Sequence, residues 1–172
     1  MKRFERLHKG LALALIQIAI VSSLGAKMLY DRHHLPRLWV KTASFDPNLP
    51  IRGRYARLQV CVEPDQALLK KKRDQSWQSV QLRVENGHLI AEASSKGKTG
   101  LTIWFGGRDQ KGPPVLRNPL AFFLPEHVAD PSRHPAGETL WAEVTVPPNG
   151  PPRPIRLGVQ KGEGPIEPLS LQ

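Results

Sequence analysis

The chain begins with a charged segment that is followed by a long run of apolar residues. Four basic residues precede the run: Lys2, Arg3, Arg6 and Lys9. Residues 11–26 then carry no charge, and as a helix they would span about 24 Å. Residues 11–30 would span about 30 Å, which matches a hydrocarbon core of ~30 Å. The pattern therefore predicts a transmembrane anchor at residues 10–30, with Tyr30 in the interfacial zone where aromatic rings are favoured.

Basic residues flank both sides of this predicted helix, so the difference in charge between the two sides is small. The simplest arrangement keeps the short N-terminus in the cytoplasm and exports the large domain, because long domains are translocated largely regardless of charge. We therefore expect a cytoplasmic segment at residues 1–9, a linker at 31–37 and a β-rich extracytoplasmic, periplasmic domain at 38–172. The protein would then be a single-pass protein of the inner (plasma) membrane.

A cleaved signal peptide is the alternative to an anchor. Ser23 and Gly25 form a small-x-small pair that would place the cleavage after Gly25. The apolar run is long for the central region of a signal peptide, which favours the uncleaved anchor. Lipid attachment is not expected, since the one cysteine, Cys61, lies far downstream.

The clearest local pattern after the anchor predicts a β-hairpin at residues 79–93. Asn86-Gly87 separates two runs in which apolar and polar residues alternate. These two residue types supply the positive φ angles of a type I′ turn, whose twist matches that of paired strands. Four cross-strand pairs are expected around the turn: Val84 with Leu89, Leu82 with Ala91, Val80 with Ala93, and Gln81 with Glu92 on the other face.

The same alternation recurs in five further runs and determines the predicted fold class. These runs are residues 56–62, 101–105, 116–124, 140–146 and 155–159. Clusters of Asn, Gly and Pro separate them, as in an antiparallel sandwich or a partly open barrel. No segment after residue 31 has a sustained 3.6-residue apolar repeat, so the anchor is the one helix that the pattern predicts. We expect a mainly β protein with one transmembrane helix and a single antiparallel β-sandwich or partly open barrel domain.

Composition and charge limit the classes of partner. The 172 residues include 17 Pro, 14 Gly and one cysteine, which excludes a disulfide within the chain and a multi-cysteine metal site. The net charge of +10 favours anionic partners, but no nucleic-acid-binding motif accompanies it, so no nucleic-acid partner is expected. One basic run is a candidate contact with an anionic surface, the alternative being an ordinary solvated loop. It consists of Lys70, Lys71, Lys72 and Arg73.

A short motif after the anchor resembles that of the GDYXXLXY family of membrane-anchored bacterial proteins. Gly53, Tyr55 and Leu58 match the motif, whereas Arg54 stands where the family has Asp and Val60 where it has the final Tyr. We expect these positions to be structural, because Gly53 permits a tight turn and the even-numbered positions after Tyr55 would pack inward.

A second segment, Phe122-Phe-Leu-Pro-Glu126, is similar to the aromatic-apolar-Pro-Glu segment found late in that family. Together the two segments would align about residues 38–165. The resemblance implies an exported, anchored domain and specifies no activity.

Two segments contain residue types used in phosphate binding and in serine–lysine catalysis. Gly97-Lys98-Thr99 ends like a phosphate-binding loop, but Glu92 stands where the upstream glycine is required. Ser94 and Lys96 would share one face of an extended chain, yet no apolar pocket that would activate the lysine is evident. Neither segment therefore predicts a site.

A third segment holds residue types of a nucleophilic triad and of a metal site. These residues are Glu126, His127, Asp130, Ser132 and His134. Spacing alone brings no base or oxyanion hole to the serine, and a metal would need a third ligand from another segment. We therefore expect no catalytic, cofactor-binding or metal-binding residue and no cofactor.

The sequence thus predicts a non-catalytic binding or interaction domain of the cell envelope, anchored in the membrane beside another envelope or membrane protein. The alternative is a membrane-tethered hydrolase that uses Ser94 or Ser132 as its nucleophile. A serine-directed probe distinguishes the two hypotheses, because only the hydrolase would react and would lose the reaction on substitution of that serine.

Overall fold

A computed structural model describes residues 2–43, 55–71, 77–94, 100–105, 112–126, 128, 131, 135 and 137–170. The chain divides into two compact units, Met1–Leu35 and Pro36–Gln172. The first unit is a helix and the second is built mainly from antiparallel strands. This confirms the predicted mainly β fold class with one N-terminal apolar helix.

The first unit is the helix α1, Lys2–His34. Its segment His8–His34 is long and apolar enough to cross a membrane, and its apolar side chains are exposed, which fits a single-pass anchor or a signal sequence. The helix continues four residues beyond the predicted end at residue 30. It ends just before Pro36, as expected because a proline disfavours helical backbone at the residue before it. Only Leu35 and Pro36 therefore remain of the linker predicted at 31–37.

The second unit contains eleven strands and one short helix in its described residues. They are β1 Arg37–Ala43, β2 Tyr55–Val60, β3 Glu63–Pro64, α2 Gln66–Lys71, β4 Trp77–Glu85, β5 His88–Ala93, β6 Leu101–Trp104, β7 Val115–Leu116, β8 Leu120–Phe123, β9 Glu138–Thr145, β10 Arg153–Lys161 and β11 Ile166–Pro168. One sheet has the order β11-β10-β9-β1-β2-β8 and the other β3-β5-β4-β6-β7. All neighbouring strands pair antiparallel except β3 and β5, which are parallel.

The chain passes from the six-stranded sheet into the five-stranded sheet at Cys61. The Cys61 N–H donates a hydrogen bond to the Lys41 carbonyl at 2.9 Å. The Cys61 backbone also forms an isolated antiparallel β-bridge with Val115 of the five-stranded sheet. The next N–H, of Val62, donates to the Pro114 carbonyl at 2.9 Å. One of the two sheets is curled into a half-barrel, and buried side chains of both sheets form one core.

Alternating side chains of both sheets form this core. Leu58, Val144 and Leu157 come from the six-stranded sheet and Val80 and Ile103 from the other, and all five are almost fully buried. Burial of each such side chain stabilises the fold by roughly 1.5–3 kcal/mol. The inward alternation predicted for these strands is therefore what holds the two sheets together.

The hairpin predicted at residues 79–93 is confirmed in its turn and in its register. Asn86 and Gly87 have φ angles of 50° and 79°, as a type I′ turn requires. All four predicted pairs are present: Val84 with Leu89, Leu82 with Ala91, Val80 with Ala93, and Gln81 with Glu92. The sequence pattern was sufficient to predict this hairpin because the turn and both strands lie within fifteen consecutive residues.

The predicted elements differ from the structure at α2 and at residues 116–124, and no predicted run covers β1, β3 or β11. The short helix α2 was not expected, since six residues are too few to show a 3.6-residue repeat; Asp65 caps it by accepting the Gln66 N–H at 2.7 Å, and Leu68 anchors it in the core. The single strand expected at 116–124 is instead two strands, β7 and β8. Arg117–Pro119 separates them, because proline has no N–H for a sheet ladder.

Candidate functional site

A groove of about 480 Å³ lies in the second unit, where β1, the connection from β2 to β3 and the tip of the β4–β5 hairpin meet. Its principal lining residues are Trp39, Lys41, Cys61, Glu63, His88 and Trp141. The alternation of each strand places Trp39 and Lys41 on the side of β1 opposite the buried Leu38 and Val40. The groove therefore opens on the outer side of the six-stranded sheet.

Two tryptophans form the apolar wall of the groove. The Trp141 Nε1–H donates a hydrogen bond to Gln160 Oε1 at 2.9 Å, and the Gln160 amide in turn donates to the Gly164 carbonyl at 2.8 Å. Because its one polar group is satisfied inside the protein, the Trp141 indole presents apolar surface to the groove. It is also held in one orientation by this chain of hydrogen bonds.

The second indole, Trp39, is fixed by close packing. A β-carbon added to Gly158 would lie 2.9 Å from the Trp39 ring, so the ring rests almost directly on the backbone of β10. The Arg156 guanidinium lies 5.4 Å from the centre of the ring and is ion-paired with Glu143. The aromatic wall is therefore pre-organised, which reduces the conformational entropy lost when a ligand binds.

Cys61 and Lys41 form the polar part of the groove. Burial raises the pKa of the Cys61 thiol above its usual range, and the Lys41 ammonium opposes this rise only in part. Cys61 is therefore a neutral thiol near pH 7, and the thiolate needed for nucleophilic attack is disfavoured. Lys41 is exposed at the opening and supplies one positive charge.

The hairpin tip closes one side of the groove. His88 Nδ1 and Glu63 Oε1 lie 2.7 Å apart and join β5 to β3, but both side chains are more than half exposed. Exposed pairs of this kind contribute about 0–1 kcal/mol, so this contact positions the tip without fixing it strongly.

No family model, curated protein or solved structure matches the chain. The resemblance to the GDYXXLXY family therefore stays a prediction.

The two segments that carry this resemblance are neighbours in the fold. Strand β2 pairs with β8, and Tyr55 lies opposite Phe123 with the ring centres 5.6 Å apart in an edge-to-face arrangement. Leu58 and Val60 lie in the core with 1% and 0% of their surface exposed, whereas Tyr55 is 52% exposed. Gly53 and Arg54 lie outside the described residues.

The structure describes only part of the basic run at residues 70–73 and one of the two candidate serines. Lys70 is exposed on α2 and Lys71 ends that helix, whereas Lys72 and Arg73 lie outside the described residues. The Ser94 N–H donates a hydrogen bond to the Ser79 carbonyl at 3.1 Å. The other candidates lie outside the described part of the chain: Lys96, Gly97, Lys98, Thr99, His127, Asp130, Ser132 and His134. The hydrolase hypothesis stays a prediction.

The groove combines aromatic walls from Trp39 and Trp141 with the exposed Lys41 ammonium. Its walls are mainly apolar, its cysteine is a neutral thiol, and the exposed Lys41 ammonium supplies positive charge. Within the described ranges, no three His, Cys, Asp or Glu side chains are grouped so that they could hold a metal ion. The sequence analysis missed the groove, although one signal was present: Trp39 and Trp141 occupy the polar-side positions of alternating strands.

Proposed function

We propose that this chain is a single-pass membrane protein whose second unit is an extracytoplasmic, non-catalytic binding domain of the cell envelope. The groove formed by Trp39, Trp141 and Lys41 is the observation that carries this proposal. Its volume of about 480 Å³ falls within the usual range for ligand sites, roughly 300–1,000 Å³. The two fixed indoles are the residue type that most often dominates binding energy at protein interfaces.

The chemistry of the groove favours a segment of another envelope or membrane protein. Apolar side chains of such a segment would remove the exposed faces of Trp39 and Trp141 from water, at roughly 25 cal/mol per Å² of apolar surface. A carboxylate next to them would pair with Lys41. Because the Trp141 N–H is already bonded to Gln160, recognition depends on shape and on this one charge.

The location in this proposal rests on α1 and on the family resemblance. The short basic N-terminus is the simpler side to keep in the cytoplasm, which leaves the second unit outside the plasma membrane. The motif around Tyr55 and Leu58 is similar to that of a family of exported, anchored domains. The resemblance and the length of the apolar run favour an uncleaved anchor over a signal peptide.

Protease access tests the topology. A tag at the C-terminus is expected to be removed by added protease once the outer layers of the cell are opened and the plasma membrane is left intact. The intact chain should meanwhile need detergent for extraction. A tag that stays protected until the plasma membrane is lysed would contradict the orientation, and a chain that loses its first residues would contradict the anchor.

A charge reversal in the groove tests the binding site. We expect Lys41→Glu to weaken retention of the co-purifying envelope component by about tenfold, the equivalent of ~1.4 kcal/mol, because an attractive contact becomes repulsive. The measurement is the amount of that component that co-purifies with the full-length chain from solubilised membranes.

The matched control is Lys161→Glu, since Lys161 is exposed in the same domain and has only a long contact of 3.7 Å with Glu138. This variant should retain the component at the wild-type level. Equal loss in both variants would indicate a general charge effect, and no loss in either would remove the groove as the binding site.

A further inference from the structure

We propose that the outer face of the five-stranded sheet binds an acidic polysaccharide of the cell envelope, whose sugar rings carry carboxylates. The site, which we name the indole platform, consists of Trp77, Trp104 and Arg117 with Ser79 and Thr102 beside them. None of these residues lines the groove, so the inference adds a second ligand. The location in the envelope rests on the proposed function, whereas the binding chemistry does not.

Strand register forms the aromatic part of the platform. Trp77 of β4 lies directly opposite Trp104 of β6, and the indoles stack with ring centres 5.7 Å apart and planes at 24°. The preceding or following residues, Gln78 and Ile103, are buried, so alternation places both indoles on the outer face. Trp77 remains 43% exposed although it contacts Trp104. The pair therefore presents aromatic surface to solvent.

Arg117 supplies a positive charge next to the indoles. It directly follows β7, and its N–H donates a hydrogen bond to the Thr102 carbonyl at 2.8 Å, which holds it beside β6. Its guanidinium lies 5.0 Å from the centre of the Trp77 ring. Arg117 is exposed, and no carboxylate of the described residues is ion-paired with it. Its N–H donors can therefore take both oxygens of a ligand carboxylate.

Carboxylates on the same face are occupied elsewhere. Glu85 and Glu92 both contact Arg83 at 2.8 Å. Glu92 lies on β5, which is three strands from β7 in the sheet order and therefore about 14 Å away. The charge of Arg117 is thus available to an anionic ligand rather than to this ion-pair network.

Polar side chains beside the indoles favour a sugar over a purely apolar ligand. Ser79 and Thr102 form the next cross-strand pair on this face, about 7 Å from the indole pair. Their hydroxyls, and the exposed Gln81 amide two residues further along β4, donate and accept hydrogen bonds as sugar hydroxyls do. The negative face of an indole attracts the weakly positive C–H groups of a sugar ring. A carboxylate on that ring would be bound by Arg117.

Isothermal titration calorimetry of the full-length chain tests this inference. The probes are tetrasaccharides prepared from polygalacturonate, alginate and hyaluronan, each matched with its carboxyl-reduced, neutral form. The chain is kept in a detergent without a sugar head group, so that the detergent does not compete. We expect an acidic tetrasaccharide to bind about tenfold more tightly than its reduced form, and raised salt to reduce this difference. If no acidic form is preferred, the proposal is wrong.

Substitutions separate the charge from the aromatic surface. Arg117→Gln should remove the preference for the acidic form and keep the weaker binding of the reduced form. Trp77→Ala should weaken binding of both forms about tenfold. The matched control, Arg57→Gln, removes the same charge from an exposed position on β2 and should keep the wild-type affinity. An unchanged preference in Arg117→Gln, or an equal loss in Arg57→Gln, would overturn the proposal.

Further outcomes distinguish this inference from the proposed function. Lys41→Glu should keep polysaccharide binding, and Arg117→Gln should keep the component that co-purifies through the groove. Loss of polysaccharide binding in Lys41→Glu would contradict a separate site. A tetraglutamate peptide that binds as tightly as the acidic tetrasaccharides would show that the surface recognises acidic protein segments, and the assignment to a polysaccharide would be wrong. A protected C-terminal tag would contradict the topology without changing the measured affinities.

Discussion

We expect the substitution Leu58→Ala to lower the free energy of unfolding of the second unit by about 2–5 kcal/mol. Leu58 is 1% exposed and lies on β2, between strands β1 and β8 of the six-stranded sheet. Its removal would leave a cavity that surrounding strands cannot fill without losing their own hydrogen bonds. Natural domains are stable by only about 5–15 kcal/mol, so this one change would remove a large share of the stability.

The measurement is denaturant unfolding of the full-length chain in detergent, followed by tryptophan fluorescence. All four tryptophans lie in the second unit, at positions 39, 77, 104 and 141, so the signal reports on that unit. Tyr55→Ala in the same strand is the matched control. Tyr55 is half exposed and packs mainly on Phe123, so we expect a loss of about 1 kcal/mol.

This comparison also tests the structural interpretation of the motif. Leu58 and Tyr55 both match the family pattern, but only Leu58 lies in the core. A large loss for Leu58→Ala with a small one for Tyr55→Ala supports a packing role for Leu58 and leaves Tyr55 as a surface residue. Equal losses would contradict the burial pattern of β2.

The sequence was most informative where the determinants are local. The apolar run before Lys27 indicated the helix because sixteen consecutive uncharged residues, 11–26, carry the signal. The Asn86-Gly87 hairpin was predicted down to its residue pairs because turn geometry fixes register. In both cases the deciding interactions join residues that are close along the chain.

Contacts between residues that are distant along the chain could not be predicted from these local patterns. Strand β1 pairs with β9 through residues such as Val40 and Ala142, about a hundred positions apart, and alternation alone does not choose a partner strand. The transfer of the chain between sheets at Cys61 likewise depends on hydrogen bonds to Lys41 and Pro114. A period of two predicts strands but not their order in a sheet.

The groove could not be predicted for the same reason. Trp39 and Trp141 come from two strands and Cys61 from the connection between β2 and β3, and these segments converge only after the sheets have formed. Residues that act together through sheet register leave no motif in the sequence.

The substitution Gly158→Ala is expected to lower the free energy of unfolding by about 1–3 kcal/mol through overpacking. The new β-carbon would lie 2.8 Å from Ile166 Cγ2, 2.9 Å from the Trp39 ring and 3.0 Å from the Glu167 carbonyl oxygen. A branched side chain, an indole ring and a strand backbone cannot all move aside at a low cost in free energy. Alanine is otherwise favoured over glycine in a strand by roughly 0.5–1 kcal/mol, so a net loss would be attributable to these contacts.

The same denaturant measurement checks this result, with Gly112→Ala as the matched control. No atom lies within 4 Å of a β-carbon at position 112, and its φ is not in the left-handed region, so we expect no loss of stability. Because the displaced Trp39 is one wall of the groove, Gly158→Ala should also weaken retention of the binding partner even where the domain remains folded. Full stability in Gly158→Ala would contradict the close packing of Trp39 on β10. Lost stability with unchanged binding would separate that packing from the function of the groove.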